Sequence, residues 1–177
     1  MRASRRRFIQ AGAAGIALLA TVRWLDAWPA APAARLKKLD ARAVEMLEAV
    51  VPVVLAGALP EDAGEKSAAV AQIIEGFDRA LSGLDPAIQD EIGQMLGVLV
   101  YAPTRITVAG VWSPWKEASA AEIAAFLGDW RGSRYELKRS GYRALTQLIK
   151  ASWYDNPAAW RILGYPGPPQ VVPPGTT

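Results

Sequence analysis

The feature that most constrains the fold is the helical spacing of apolar residues along the chain after residue 35. Apolar side chains recur at intervals of three and four residues, which places them on one face of an α-helix. No segment alternates apolar and polar residues over enough positions to predict a strand. The spacing therefore predicts an all-α fold, an irregular bundle of five to six helices. The predicted helices cover 36–56, 66–82, 86–102, 120–130, 134–154 and a short stretch at 158–163.

Several residues mark where these helices should begin and end. Asp40 and Asp85 are expected N-caps, and Pro86 follows at a first helical position, where a missing amide donor costs little. Residues 119–122, Ser-Ala-Ala-Glu, form a capping box. Pro52 should end or kink the first helix, because proline removes an amide donor. These signals agree with the bundle that the apolar spacing predicts.

The segment 103–118 departs from the helical pattern. Residues 108–115 read V-A-G-V-W-S-P-W, an apolar and aromatic stretch that glycine and proline interrupt. Because these two residues favour turns, the segment is predicted to be a loop or an irregular turn. A large aromatic side chain on such a turn is a favoured anchor for a partner protein.

Five tryptophans follow the N-terminal segment, and they divide into two groups. Trp130 and Trp153 lie on apolar helix faces and are expected in the core. For the aromatic residues in proline-interrupted segments, a core position and an interface position both stay open. The candidates for a partner interface are Trp112, Trp115, Tyr154, Trp160, Tyr165 and Pro166.

The chain contains no cysteine and no histidine. Disulfides are therefore excluded, and the usual ligands of zinc, haem and iron–sulfur clusters are missing. The commonest general base is missing too. Carboxylates are expected on solvated helix faces, and the sequence shows no nucleotide-binding loop or nucleophile motif. The sequence thus predicts a chain that is not an enzyme, with no catalytic residue, cofactor site or metal site of its own.

The first 33 residues are a segment of a different kind. Ser4-Arg5-Arg6-Arg7-Phe8 precedes an apolar run that is rich in glycine and alanine, and acidic residues are absent before position 26. This is the pattern of a twin-arginine signal, an address for a translocase that carries cargo already folded. It predicts a periplasmic protein, with Arg5, Arg6 and Phe8 engaging the translocase.

An N-terminal membrane anchor is the alternative interpretation of this segment. The apolar run 8–22 is shorter than the roughly 20 residues that a spanning helix needs, which favours an export signal. Residues 31–33, Ala-Pro-Ala, have the small-x-small form of a cleavage site, which would start the mature chain at Ala34. Arg23 and Asp26 lie between the run and this site, so cleavage and retention both stay open.

The positive net charge of +3 comes from the N-terminal segment. Residues 1–33 hold five arginines and one aspartate, and the rest holds 15 basic and 16 acidic groups. No basic surface for nucleic acid follows from this balance. The chain divides into a signal at 1–33, a helical domain at 34–164 and a tail at 165–177. Five prolines in the tail predict an extended, polyproline-like segment.

Residues 153–169, W-Y-D-N-P-A-A-W-R-I-L-G-Y-P-G-P-P, resemble the C-terminal end of the gluconate 2-dehydrogenase subunit 3 family. Members of that family are similar to this chain in plan, because a twin-arginine signal precedes a small helical domain without a cofactor. The resemblance covers the two ends of the chain, and helical spacing alone supports the middle.

The resemblance implies a role. Small subunits of this family accompany a large FAD-dependent dehydrogenase of the glucose-methanol-choline oxidoreductase type, often with a cytochrome c subunit, in membrane-associated complexes. It implies that this chain is a non-catalytic subunit that escorts a folded flavoprotein through the twin-arginine pathway and stabilises it in the periplasm. The residues alone leave a second interpretation open, a free-standing periplasmic helical protein that binds a small apolar ligand between its helices.

Overall fold

The computed structural model describes residues 32–33, 35–156 and 159–160, and all structural statements concern these residues. Most of the predicted signal, the short helix predicted at 158–163 apart from residues 159–160, and the whole predicted tail lie outside them. The candidate site residues that lie outside are Arg5, Arg6, Phe8, Tyr165 and Pro166.

Within the described residues the fold is entirely helical, which confirms the fold class predicted from the apolar spacing. The backbone pairing of Pro32 with Asp40 is an isolated bridge, and no strand is present in this part of the chain. The α-helices are α1 (Ala41–Val54), α2 (Ala63–Ser82), α3 (Pro86–Val100), α4 (Ala102–Thr104), α5 (Ala120–Gly132) and α6 (Glu136–Tyr154), and a π-helical segment (Arg105–Ala109) follows α4.

Side-chain caps begin four of these helices. Oxygens of Asp40, Asp62, Asp85 and Ser119 each accept a hydrogen bond from a backbone amide in the first turn of the following helix, over 2.8 to 3.2 Å. Such a cap satisfies an amide that has no partner within the helix and contributes about 1 kcal/mol. The N-cap predictions for Asp40, Asp85 and Ser119 are confirmed.

The core lies where α2 packs on α6, with α1 and α5 against this pair. Gly76 allows the close approach of α2 to α6, because a Cβ atom there would lie 3.0 Å from the Cβ atom of Ser152. Trp153 is fully buried, and Trp130 is 3% exposed, so both are core residues as expected. The apolar stripe predicted for α2 is buried throughout, at Val70, Ile73, Ile74, Phe77 and Leu81.

Helical spacing predicts Ile88 and Leu137 on the apolar faces of the helices at 86–102 and 134–154, but both residues are exposed. Ile88 is 45% exposed and Leu137 is 80% exposed. Both lie in the first turn of their helices, α3 and α6, whereas the buried residues of those helices lie further along. Helical spacing identifies the apolar face of a helix, but it does not say how far along that face the neighbouring helices extend.

Several helix boundaries differ from prediction. The first helix begins at Ala41 instead of residue 36, and Pro52 lies inside it, two residues before its end. The missing amide donor leaves one carbonyl of the preceding turn without its helical partner, and the helix ends two residues later. The predicted third helix extends to residue 102, immediately before Pro103, but α3 stops at Val100. Pro103 lies in the first turn of α4, where a missing amide donor costs little. The loop predicted from residue 103 begins only after Ala109.

Candidate partner interface

The candidate site is the stretch 110–118 between the π-helical segment and α5, which we call the tryptophan turn. Its two tryptophans lie in opposite environments, although only two residues separate them. The side chain of Trp112 is 73% exposed, whereas that of Trp115 is 3% exposed. Trp112 therefore remains a candidate for the partner interface. Trp115 does not, because its side chain is buried in the core.

Trp115 is buried because it completes the hydrogen bonding at the end of α3. Its indole Nε1 donates to the carbonyl of Leu99 over 2.9 Å, and its ring packs edge-on against Phe126. In a continuous helix the Leu99 carbonyl would accept from the amide of residue 103, but Pro103 has no N–H. Trp115 supplies the donor that proline lacks, and this bond attaches the tryptophan turn to α3.

Trp130 has the same role at the end of the π-helical segment. Its indole Nε1 donates to the carbonyl of Val108 over 3.2 Å. The amide four residues further on belongs to Trp112, and it donates instead to the carboxylate of Glu122 over 2.7 Å. The helical segment ends here, at Gly110, whose φ of 74° lies in the left-handed region that glycine adopts readily.

Two side chains of opposite charge hold the tryptophan turn. Glu122 Oε1 accepts from the amides of Trp112 and Ser113 over 2.7 and 3.2 Å. The guanidinium of Arg105 donates to the carbonyls of Val111 and Trp112 over 3.3 and 3.4 Å. The residue that carries the exposed indole therefore has its amide bonded to an anion and its carbonyl bonded to a cation.

These contacts lower the pKa of Glu122. The amide of Ser113 is the largest cause, and partial burial opposes it by raising the pKa. The amide of Trp112 and the positive charge of Arg105 lower the pKa further. The capping box is thus half confirmed, because Ser119 caps α5 but the Glu122 carboxylate binds the tryptophan turn instead of the Ser119 amide.

The other described interface candidates lie at the end of α6. Tyr154 is the last residue of this helix and its side chain is 55% exposed. The half-buried Trp160 donates from Nε1 to the Tyr154 carbonyl over 2.7 Å. The side-chain Nδ2 of Asn156 donates to Gln72 Oε1 over 2.6 Å, which joins the chain after α6 to α2. Trp112 and Tyr154 are therefore the described candidates whose rings are mainly exposed.

A groove of about 220 Å³ lies between α1, α5 and α6. Its apolar walls include Val53, Val54 and Leu127, and the basic side chains of Arg131 and Lys150 also line it. The mixture suits a small molecule with an apolar body and a negatively charged group better than a purely apolar one.

One carboxylate, that of Asp78, departs from the prediction that carboxylates lie on solvated helix faces. Asp78 is 4% exposed, and its carboxylate accepts from the three backbone amides of residues 37–39 over 2.8 to 3.0 Å. The position carries a signal that could have found it. Asp78 lies four residues after Ile74 and three before Leu81, on the apolar face of α2.

Two further properties of the described residues concern metal binding and membrane insertion. No three acidic side chains in residues 32–33, 35–156 and 159–160 are grouped so that they could hold a metal ion. No single helix there is long and apolar enough to cross a membrane. By length and composition alone, α3 together with Ala102–Ala109 would qualify as a pair, and the two parts meet at 81°.

Comparison with known proteins gives no relative. No protein-family model, no curated protein and no solved structure matches this chain.

Proposed function

We propose that this chain is a non-catalytic small subunit that escorts a flavin-dependent dehydrogenase through the twin-arginine pathway and stabilises it in the periplasm. The observation that carries the proposal is the pattern Ser4-Arg5-Arg6-Arg7-Phe8 ahead of an apolar run. A translocase that recognises this pattern carries folded cargo. Folded export benefits a protein that must take up its cofactor before it leaves the cytoplasm, and a flavoprotein is such a protein.

The resemblance of residues 153–169 supports the nature of the partner. It indicates a large subunit of the glucose-methanol-choline oxidoreductase type, with FAD bound in that subunit and a cytochrome c subunit in the same complex. In this proposal the small subunit binds no cofactor, and the sugar or alcohol substrate binds to the large subunit.

The tryptophan turn supports a role in binding that partner. An exposed indole offers a large apolar area, and a turn held at both its amide and its carbonyl loses little conformational entropy on binding. Trp112 meets both conditions. We assign it as the anchor that enters a pocket of the large subunit, and Tyr154 and Trp160 extend the contact.

The export part is tested by co-expression with a candidate dehydrogenase that lacks a signal. The double variant Arg5→Lys/Arg6→Lys should leave the dehydrogenase and its FAD in the cytoplasm, whereas the wild-type chain should bring both to the periplasm. Arg7→Lys is the matched control, because it changes the arginine next to the pair, and it should export normally. Full export by the double variant would overturn the escort function.

The binding part is tested by co-purification of the flavin-containing large subunit with Trp112→Ala. Loss of a central aromatic anchor should cost about 2 kcal/mol or more, which weakens binding roughly 30-fold. Leu137→Ala is the matched control, because Leu137 is an apolar residue that is 80% exposed and lies at the start of α6, outside the tryptophan turn. Equal binding by the two variants would show that Trp112 is not the anchor.

The groove favours a second candidate function, a free-standing periplasmic protein that binds a small ligand. Its volume of about 220 Å³ lies below the range of roughly 300–1,000 Å³ that is usual for ligand pockets, so this candidate has less support. Purification of the chain as a monomer, without a flavoprotein and with a small molecule detected by native mass spectrometry, would favour it over the escort.

A further inference from the structure

A buried carboxylate on α2 binds the chain that precedes α1. Asp78 Oδ2 accepts from the amide of Lys37 over 2.8 Å, and Oδ1 accepts from the amides of Lys38 and Leu39 over 2.8 and 3.0 Å. Among the described residues, no lysine or arginine side chain forms an ion pair with Asp78. A buried carboxylate needs donors, and hydrogen bonds to a charged acceptor are the strong ones. The three amides therefore hold the segment firmly against α2.

The same segment folds back on itself as a hook, which comprises residues 32–33 and 35–40. The amide of Ala33 donates to the carbonyl of Leu39 over 2.9 Å, and the amide of Leu36 donates to the carbonyl of Ala33 over 2.9 Å. Arg35 has a φ of 76°, in the left-handed region that few residues other than glycine adopt. The amide and the carbonyl of Ala33 are therefore both hydrogen-bonded within the hook.

Ala33 is also the residue after which the predicted signal would be cleaved. A protease binds its substrate as an extended segment whose backbone groups pair with the enzyme, and cleavage concentrates in exposed segments. The backbone groups of Ala33 are already paired. The hook cannot lift away alone, because Leu39 is 1% exposed and shares the Asp78 carboxylate with its two neighbours.

We propose that Asp78 is a latch that protects the peptide bond after Ala33, so that the folded chain keeps its predicted signal. Cargo of the twin-arginine pathway is folded before export, so the hook forms before the chain meets a signal peptidase. The proposal rests on the proposed function only in taking residues 1–33 as an export signal. It decides between the two outcomes, cleavage and retention, that the sequence leaves open.

The test is cleavage of the purified full chain by elastase, which cuts after small residues, with the products identified by mass spectrometry. Asp78→Asn removes the charge of the latch, and Asp62→Asn is the matched control, an exposed N-cap whose carboxylate accepts from the Glu65 amide. Cleavage after Ala33 should be at least about tenfold faster in Asp78→Asn than in the wild type or in Asp62→Asn, because the hook opens more easily without the Asp78 charge. The rate of cleavage after Ala20 is an internal reference and should be equal in the wild type, Asp78→Asn and Asp62→Asn.

Two results would overturn the latch. One is rapid cleavage of the wild-type chain after Ala33, at the rate found for the chain unfolded in urea. The other is an equal rate in wild type and a folded Asp78→Asn variant.

Hydrogen exchange of the wild-type chain keeps the proposal testable if Asp78→Asn does not fold. The amides of residues 37–39 should exchange at least about tenfold more slowly than unprotected amides, and exchange at the unprotected rate would overturn the latch. Both measurements use the isolated chain. A failed latch therefore leaves the export assay unaffected, and a failed escort function leaves these measurements unaffected.

Discussion

Replacement of Gly141 by alanine tests the contact between α5 and α6. A Cβ atom at this position would lie 2.7 Å from Cζ3 of Trp130 and 3.4 Å from the sulfur of Met95. The indole cannot easily move away, because its Nε1 donates to the carbonyl of Val108 and its ring packs edge-on against Phe126 at a centroid distance of 5.0 Å. The substitution therefore overpacks a rigid part of the core.

The magnitude follows from two opposing effects. Overpacking of this kind costs about 1–3 kcal/mol, and exchange of a helical glycine for alanine gains about 1 kcal/mol, so Gly141→Ala should lose up to about 2 kcal/mol. Gly93 in α3 is the matched control, because a Cβ atom there meets nothing within 4 Å. Gly93→Ala should gain about 0.5–1 kcal/mol. For a domain of this size, each kcal/mol shifts Tm by about 4 °C.

Thermal and urea unfolding, followed by far-UV circular dichroism, measure both changes. The expected order of stability is Gly93→Ala, then wild type, then Gly141→Ala. If Gly141→Ala proved as stable as Gly93→Ala, the close contact of Gly141 with the indole would be refuted.

Two further predictions concern the tryptophan turn. Because folding lowers the pKa of Glu122, its contribution to stability is present at neutral pH and is lost as the pH falls below 4.5 and through the lowered folded-state pKa. The exchange protection of the Trp112 amide should fall in this pH range, and Glu122→Gln should abolish that pH dependence. If the pH dependence were unchanged in Glu122→Gln, the Glu122 carboxylate would not be what holds the Trp112 amide. Trp115→Phe leaves the Leu99 carbonyl without its indole donor and should cost about 1–3 kcal/mol beyond lost packing. Trp153→Phe is the comparison and should lower the free energy of unfolding in urea by less, because the Nε1 of Trp153 finds no acceptor among the described residues. Equal losses of stability in the two variants would speak against a role for the hydrogen bond from Trp115.

Much of the secondary structure could be predicted because its causes are local. An acidic or hydroxyl side chain caps a helix that begins at the next residue, so Asp40, Asp85 and Ser119 identified three helix starts correctly. The apolar stripe also placed Trp130 and Trp153 in the core. Ile88 was misplaced because the limits of a helix contact depend on neighbouring helices.

The candidate site could be predicted only in part. Trp112 and Trp115 lie in a segment without helical spacing, so no periodic face distinguishes the exposed ring from the buried one. The distinction arises at Leu99, whose carbonyl lacks an amide donor because Pro103 follows four residues later. A tryptophan 16 residues after Leu99 supplies that donor, and its neighbour is left in solvent.

By itself, the amino-acid sequence determined the helical class, the three helix starts marked by Asp40, Asp85 and Ser119, and the absence of thiol and imidazole ligands. Tertiary structure alone decided which indole is exposed, where the Glu122 carboxylate binds and what Asp78 holds. The reason is distance along the chain: Glu122 binds an amide 10 residues away, and Asp78 binds amides up to 41 residues away. Spacing rules concern residues a few positions apart, whereas the hydrogen-bond donors near a buried carboxylate depend on how the helices pack.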